Sequence, residues 1–275
     1  MTVQDVAEYA LERTPREYER LRAQARMWES ATARVLDRVG PPAGGSCLDA
    51  GCGPGETMRL LAGRVGPGGT VTGIDVDAGL GTVVEAGLHA EGLRQCRFVA
   101  ADLTDDAPVP GGPYDLVFAR LLLFHLPQRV AVLARLWDAV RPGGHLVVQD
   151  YDLGSADVLP AADGVAEAVR LIVATFEAMG CDVRAGLRLP LLFAEAGAGA
   201  PDDTDVAGRI EPLPAGQGML EHTLRSVLPA AYAHGIATER QAEEALAALR
   251  RDAEGAPDRV LLWPLMAAAW RRKPA

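Results

Sequence analysis

The sequence predicts an α/β protein with a doubly wound, mostly parallel sheet. Between Ser46 and Gln149, short apolar or β-branched runs alternate with amphipathic helical stretches, which is the pattern of successive βα units. The first run leads into a glycine turn, CLDAGCGPGE (Cys47–Glu56), and a helix is predicted directly after it. A strand, a glycine turn and a helix in that order bring bare backbone against a ligand at the carboxyl edge of a sheet.

Helices are predicted before the sheet. Thr14-Pro15-Arg16-Glu17 has the pattern of a capping box with proline at the first helical position. An amphipathic helix follows, a second helix runs to Val39, and the Pro/Gly-rich segment after it ends the helical region. We therefore expect a helical cap over residues 1–45.

Alternating strands and helices then form the predicted core. The predicted helices are Gly55–Val65, Ala78–Glu91 and Pro127–Val140. The predicted strands are Ser46–Ala50, Thr70–Asp75, Arg97–Ala101, Tyr114–Arg120 and His145–Gln149.

The pattern changes after Asp152. A long amphipathic helix that includes Val165 and Phe176 is followed by a predicted strand over Val206–Glu211. We then predict the helices Gln217–His234 and Thr238–Asp252 and a last strand over Leu265–Arg271. These elements predict a core domain over 46–215, a helical lid insertion over 216–255 and the last core strand within 256–275.

Composition excludes several classes of function. The chain has 275 residues and a net charge of −10, so we expect no binding to nucleic acid, which needs clustered Lys and Arg. The four cysteines form no CxxC pair, and we expect them to be reduced in a cytoplasmic protein. The sequence has no apolar signal core at its N-terminus and no run of about 18 apolar residues, so we expect no secretion and no membrane span.

The glycine turn by itself leaves the cofactor open. A ligand-free turn is one interpretation, and a dinucleotide site is another, although the spacing Gly51-x-Gly53-x-Gly55 departs from G-x-G-x-x-G. Asp49 would place negative charge beside a pyrophosphate, whereas a cationic or zwitterionic ligand would tolerate it. Asp75 ends the next strand and can accept hydrogen bonds from a ribose diol. The alternative for Asp75 is a helix-capping role.

Five segments in order resemble one family. DAGCGPG, VTGIDVD, FVAADLTD, YDLVFARLLLFHLP and VRPGGHLVVQDYD are similar to the S-adenosylmethionine-dependent methyltransferases of Rossmann-like fold. The ubiquinone/menaquinone-type and bacterial natural-product enzymes are the most similar. The resemblance covers about Ser46–Asp152. It implies a seven-stranded sheet, S-adenosyl-L-methionine as the cofactor and a small-molecule methyl acceptor, and it leaves a homodimer open.

The resemblance also implies roles by position. The backbone of the three glycines would lie against the methionine part of the cofactor, and Asp49 would lie near its amino group. Asp75 would hold the ribose hydroxyls. Asp102, together with the Leu103 backbone amide, would contact the edge of the adenine. The implied cofactor-binding residues are Asp49, Gly51, Gly53, Gly55, Asp75, Val76, Asp102, Leu103, Ala119 and Arg120.

Three residues are candidates for the chemical step. His125 follows the fourth strand and has the side chain best suited to acid–base work near neutrality. Tyr151 follows the fifth strand and could border the acceptor pocket, and Arg120 could pair with an acceptor carboxylate or phosphate. The alternatives are a structural role for His125, simple packing for Tyr151 and an internal salt bridge for Arg120.

The predicted activity is in-line methyl transfer to oxygen or carbon of a small organic molecule, in natural-product biosynthesis. Metal-assisted relatives place an acid at the end of the fourth strand, where this chain has Arg120, so we expect no metal. Two alternatives stay open. One is an enzyme that keeps the cofactor but catalyses a non-methylating step such as a cyclisation, and the other is a non-catalytic binding protein.

Overall fold

A computed structural model describes residues 15–256 and 258–275. Thr14, the first residue of the predicted N-terminal capping box, lies outside them. The helices are α1 Pro15–Met27, α2 Glu29–Val39, α3 Glu56–Val65, α4 Ala78–Ala90, α5 Arg129–Asp138, α6 Asp163–Ala178, α7 Ala185–Glu195, α8 Leu213–Ala233 and α9 Glu239–Gly255. The strands are β1 Ser46–Ala50, β2 Thr70–Asp75, β3 Cys96–Ala100, β4 Tyr114–Arg120, β5 Val140–Asp152, β6 Asp157–Leu159, β7 Asp203–Ala207, β8 Ile210–Pro212, β9 Val260–Leu262 and β10 Leu265–Arg272.

The chain divides into two compact units. We call residues 21–151, 185–207 and 266–275 the sheet unit. We call the described residues up to Arg20 together with 152–184 and 208–265 the helical unit. The division differs from the predicted boundaries at 46, 215 and 255, because α6 and its flanking segments group with α8 and α9 rather than with the sheet.

The sheet unit contains a seven-stranded sheet in the order β3-β2-β1-β4-β5-β10-β7. The pairs β1–β2, β1–β4, β2–β3 and β4–β5 are parallel, and β10–β7 is antiparallel. The predicted doubly wound, mostly parallel sheet is therefore confirmed. Because the order reverses between β1 and β4, the carboxyl ends of these strands form the switch point at which doubly wound sheets bind ligands.

Burial explains the apolar runs of the central strands. Leu48 of β1, Val117 of β4 and Leu146 of β5 are all fully buried, because helices cover both faces of a parallel sheet. The predicted strand His145–Gln149 extends in the structure over the whole of β5, from Val140 to Asp152. Tyr151 is therefore a residue of the strand itself rather than of the loop after it.

The helical unit combines α6, α8 and α9 with a small antiparallel sheet in the order β6-β9-β8. Helix α9 begins with a capping box, in which the Thr238 side chain accepts from the Gln241 amide and the Gln241 side chain accepts from the Thr238 amide. Leu220 and Leu224 of α8 are buried, as their spacing predicts.

The single strand predicted over Val206–Glu211 was wrong. The structure has two strands there, β7 and β8, which lie in different sheets. The segment 256–275 likewise holds both β9 of the small sheet and β10 of the large one. Local alternation shows that a residue is extended and half-buried, but it does not show which sheet the residue joins. In the described residues, no helix combines the length and apolarity that a membrane span requires.

Candidate cofactor and acceptor site

The glycine turn after β1 adopts backbone conformations that favour glycine. Gly51, Gly53 and Gly55 have φ values of 69°, 47° and 82°, which are in the left-handed region. A Cβ on Gly51 would lie 3.0 Å from Leu122 Cδ1, and one on Gly55 would lie 2.8 Å from Val84 Cγ1. A Cβ on Gly53 would meet no atom within 4 Å. Gly53 therefore borders open space, while Gly51 and Gly55 are packed against the protein.

Gly53 offers a direct test of this open space. We expect Gly53→Ala to lower S-adenosylhomocysteine affinity about tenfold or more, because the added methyl group enters the space that the bound ligand needs. Gly40, with φ 69°, ψ 68° and open space around its Cβ position, is a matched control. Both alanines cost about 1–2 kcal/mol of left-handed strain, so the two variants should lose similar thermal stability. Equal calorimetric affinities of the two variants would contradict the assignment.

Asp75 contacts the glycine turn directly. Its Oδ2 accepts a hydrogen bond from the Gly53 amide at 2.9 Å, and its Oδ1 accepts one from the Asp77 amide at 3.0 Å. Helix capping at this position belongs to Asp77, whose side chain accepts from the Gly79 amide at 2.9 Å. Val76, between the two acids, is 42% exposed. Two separately predicted features, the turn and the acid at the end of β2, are thus joined by a hydrogen bond.

Asp102 and Leu103 lie in the loop after β3. Asp102 Oδ1 accepts from both the backbone amide and the hydroxyl of Thr104, each at 2.7 Å. Arg135 of α5 donates to the Leu103 carbonyl, also at 2.7 Å. These bonds fix the loop at the edge where β2 also ends, since Asp75 pairs with Ala100 in register. Adenine recognition by these two residues stays a prediction.

Asp49 is a buried acid with an unusual environment. It is only 2% exposed, and among the described residues its Oδ2 has no hydrogen-bond partner. Burial raises the pKa of Asp49 to about 7, and the Asp75 charge adds to the rise. Arg120 and the Met58 amide oppose it. A buried polar atom without a partner beside an open turn is what a cationic ligand group would satisfy.

The raised pKa of Asp49 predicts a pH dependence of stability. The native protein keeps a proton that the unfolded chain loses above the ordinary value of 3.8. The contribution of Asp49 is therefore full below about pH 4, falls as the pH rises to about 7, and is constant above that. We expect Asp49→Asn to remove a decline on the order of 3 kcal/mol from urea-unfolding free energies measured between pH 4.5 and 8. Asp77→Asn, at the exposed cap, should retain the decline, and a decline retained in Asp49→Asn would refute the assignment.

Ala119 and Arg120 end β4 beside the glycine turn. Ala119 is fully buried and pairs with Ala50 of β1. Arg120 Nη1 donates to Thr32 Oγ1 at 3.0 Å, and Thr32 donates in turn to Gln149 Oε1 at 2.8 Å. Leu121 follows with φ 54°, a conformation that costs a non-glycine residue about 1–3 kcal/mol. The chain is thus strained at the point where it leaves the strand for the site.

His125 lies in a 3₁₀ turn, Leu123–His125, directly after β4. The Phe124 amide donates to Asp150 Oδ2 at 3.2 Å, which ties this turn to the end of β5. The His125 ring packs against the Phe124 ring with a centroid distance of 4.0 Å. These contacts hold His125 at the same edge of the sheet as the glycine turn.

Tyr151 is held by two side chains from α1 and the residue after it. Its hydroxyl oxygen accepts from Trp28 Nε1 at 2.6 Å and from Gln24 Nε2 at 3.1 Å. Gln24, Trp28 and Thr32 are spaced by four residues, and Gln149 and Tyr151 by two. This polar stripe was not predicted from the sequence. The sequence signal for it is that the helix residues recur every four positions and the strand residues every two, so that each set lies on one face of its element.

Three of the cysteines are buried thiols. Burial is the main reason that the pKa of Cys47 rises to about 12 and that of Cys96 to about 11. The pKa of Cys52, in the glycine turn, is also raised by burial. Cys47, Cys52 and Cys96 form no disulfide bond. Thiols with raised pKa values are poor nucleophiles at neutral pH. Among the described residues, no three His, Cys, Asp or Glu side chains are grouped as metal ligands would be.

Comparison with known proteins matches this region to one family. A methyltransferase domain family matches residues 47–144. Trans-aconitate 2-methyltransferase of Deinococcus radiodurans is 34% identical over 208 residues, covering 72% of this chain and 76% of the relative. Trans-aconitate 2-methyltransferase of Paracidovorax citrulli is 38% identical over 118 residues, 43% of each chain. Nocamycin O-methyltransferase of Saccharothrix syringae is 38% identical over 113 residues, 41% of this chain and 40% of the relative. The matches thus span about two fifths of these last two relatives.

Solved structures share the fold. Phosphoethanolamine N-methyltransferase 2 of Haemonchus contortus, in complex with phosphomonomethylethanolamine and S-adenosylhomocysteine, aligns with a TM-score of 0.53 at 19% identity. It covers 90% of this chain and 53% of that protein. The [4+2]-cyclase SpnF aligns with a TM-score of 0.51 at 20% identity, covering 90% of this chain and 80% of that protein. At these identities the likeness is one of fold.

Proposed function

Because the chain belongs to the S-adenosylmethionine-dependent methyltransferases, we propose that it transfers the cofactor's methyl group to a small organic molecule at oxygen or carbon. One observation carries the proposal. The glycine turn has an open face at Gly53, and two acids, Asp49 and Asp75, flank it at the carboxyl ends of β1 and β2. A cofactor with a cationic end and a ribose needs such an arrangement.

The residues present fit the cofactor. Asp49 would face its cationic amino end, since Oδ2 is buried and has no hydrogen-bond partner among the described residues. Asp75 would hold the ribose hydroxyls, with its carboxylate already oriented by the Gly53 and Asp77 amides. Val76 offers exposed apolar surface beside it. Asp102 and Leu103 would read the adenine edge. Once bound, S-adenosylmethionine supplies a methyl group that its sulfonium has already activated for displacement.

The protein's part in the reaction is then mainly positioning. Holding two reactants in line can supply about 7–11 kcal/mol of the barrier reduction. His125, fixed after β4, would take a proton from the acceptor where the reacting atom carries one. Tyr151, held by hydrogen bonds from Trp28 and Gln24, would border the acceptor.

Relatives favour an oxygen acceptor. The name nocamycin O-methyltransferase specifies oxygen, and trans-aconitate, named for two of the relatives, is a tricarboxylate. We therefore propose an oxygen acceptor on an acidic organic molecule. The cyclisation and binding-protein alternatives stay open, and no contact in the described residues favours either.

We also propose a location in the cell and a class of partners for the protein. A cytoplasmic enzyme of natural-product biosynthesis without nucleic-acid partners is consistent with the net charge of −10 and with the nocamycin relative. Light scattering of the purified chain distinguishes a monomer from a homodimer.

Two measurements test the proposal. Titration calorimetry should show binding of both S-adenosylmethionine and S-adenosylhomocysteine, and absence of both at millimolar concentration would refute it. Incubation with S-adenosylmethionine and a panel of organic acids and phenols should give a product heavier by one methyl group. Cofactor binding with a product of unchanged mass would instead favour the cyclisation alternative.

A further inference from the structure

We propose that Arg120 is the binding group for a carboxylate in this site, and that Thr32 and Gln149 are positioning residues that hold its guanidinium. The inference rests on the proposed function and specifies the chemistry of one part of the same site. It follows from how the charge of Arg120 is surrounded.

Among the described residues, no ion pair neutralises the charge of Arg120. Its hydrogen bond goes to a neutral hydroxyl, that of Thr32, and among the described residues no carboxylate lies within ion-pair distance of it. Burial lowers the pKa of Arg120, and the largest opposing influence is the Asp49 charge. A partly desolvated cation that lacks an ion-pair partner is costly to keep. A ligand anion would compensate that cost.

The hydrogen-bond chain from Arg120 has a fixed direction. A guanidinium can only donate, so Thr32 must accept from it, and the Thr32 proton then goes to Gln149 Oε1. Thr32 is fully buried and Gln149 is 1% exposed. This hydrogen-bond chain is therefore neutral and shielded from water. It orients the guanidinium without cancelling its charge.

A carboxylate is the anion that fits best. The guanidinium presents a planar fork of N–H groups that matches a carboxylate with two parallel hydrogen bonds. Asp49, beside it, adds a negative charge that favours a cationic group on the same or a neighbouring ligand. Two sources meet these conditions, the amino-acid carboxylate of the cofactor and a carboxylate of the acceptor.

Calorimetry with two cofactor fragments tests the first source. S-Adenosylhomocysteine carries the amino-acid carboxylate, and 5′-methylthioadenosine lacks it. If the cofactor is the source, Arg120→Met should weaken S-adenosylhomocysteine about 10- to 100-fold and leave methylthioadenosine unchanged. Thr32→Val should weaken S-adenosylhomocysteine about 3- to 10-fold, and Thr32→Ser, which keeps the hydroxyl, should restore it.

Binding to the protein saturated with S-adenosylhomocysteine tests the second source. The probes are trans-aconitate and its neutral trimethyl ester. If the acceptor is the source, Arg120→Met should weaken trans-aconitate by a similar factor without changing the ester. Arg97 and Thr72 form a matched control pair, because Arg97 Nε donates to the buried Thr72 hydroxyl at 3.0 Å. Neither Arg97→Met nor Thr72→Val should discriminate between charged and neutral probes.

The outcomes separate cleanly. Selective loss of a carboxylate probe in either experiment supports the carboxylate site and identifies its source. Equal loss of charged and neutral probes, or no loss in either experiment, overturns it. Failure of the wild-type protein to bind S-adenosylhomocysteine and methylthioadenosine would contradict the proposed function itself.

Discussion

Replacing Asp75 with alanine is expected to weaken S-adenosylhomocysteine binding about 100-fold or more. Hydrogen bonds to a charged group contribute about 1.5–3 kcal/mol each, and the ribose diol would lose two of them. The substitution also removes the acceptor for the Gly53 and Asp77 amides, so the glycine turn loses its support. Titration calorimetry measures the effect.

Asp77→Ala is the matched control for Asp75→Ala. Asp77 is two residues away and caps α4 through the Gly79 amide. Its loss should cost about 1 kcal/mol of stability and change the affinity less than twofold. If Asp75→Ala lowered the melting temperature but left the affinity unchanged, Asp75 would be a structural acid.

With an acceptor that reacts at a hydroxyl oxygen, His125→Gln is expected to lower kcat by about 10²- to 10⁴-fold, the usual contribution of a positioned general base. Cofactor affinity should remain unchanged, because the residue lies after β4 rather than in the glycine turn. Glutamine keeps a polar side chain of similar length but cannot take up the proton. Single-turnover mass spectrometry with the identified acceptor measures the rate of the chemical step.

His89→Gln controls for the loss of a histidine. The His89 side chain contacts the Cys96 carbonyl at 2.9 Å, at the amino end of β3 and away from the site edge. An unchanged kcat in His125→Gln with a hydroxyl acceptor would contradict the base role, whereas a carboxylate acceptor is already ionised and needs no base. In the former case, His125 would be a structural residue.

The geometry of the candidate cofactor site could be predicted from the sequence because its signals are local. Positive φ values are found at the three glycines that the motif singles out, since only glycine adopts them without strain. Asp75 was placed at the end of β2 by a short β-branched run, and the structure confirms that position. A pattern of a few neighbouring residues was enough to predict both the glycine turn and the position of Asp75.

The side-chain contacts of Thr32 and Tyr151 could not be predicted, because they join distant segments. Thr32 and Gln149 are 117 residues apart, and Trp28 and Tyr151 are 123 apart. Each side of such a contact has an ordinary local explanation, such as an amphipathic helix or a buried strand. Only the pairing of the two shows that the side chains act together.

By itself, the sequence determined the class of fold, the glycine turn and the acids at the strand ends, because backbone sterics and hydrophobic periodicity act within a few residues. The tertiary structure decided the rest. It buried Asp49 with an oxygen that no other described residue contacts by a hydrogen bond. It also linked Arg120 to a neutral hydrogen-bond chain and assigned β7 and β8 to different sheets. Desolvation and long-range pairing depend on which segments meet in space, and neither is encoded in local spacing.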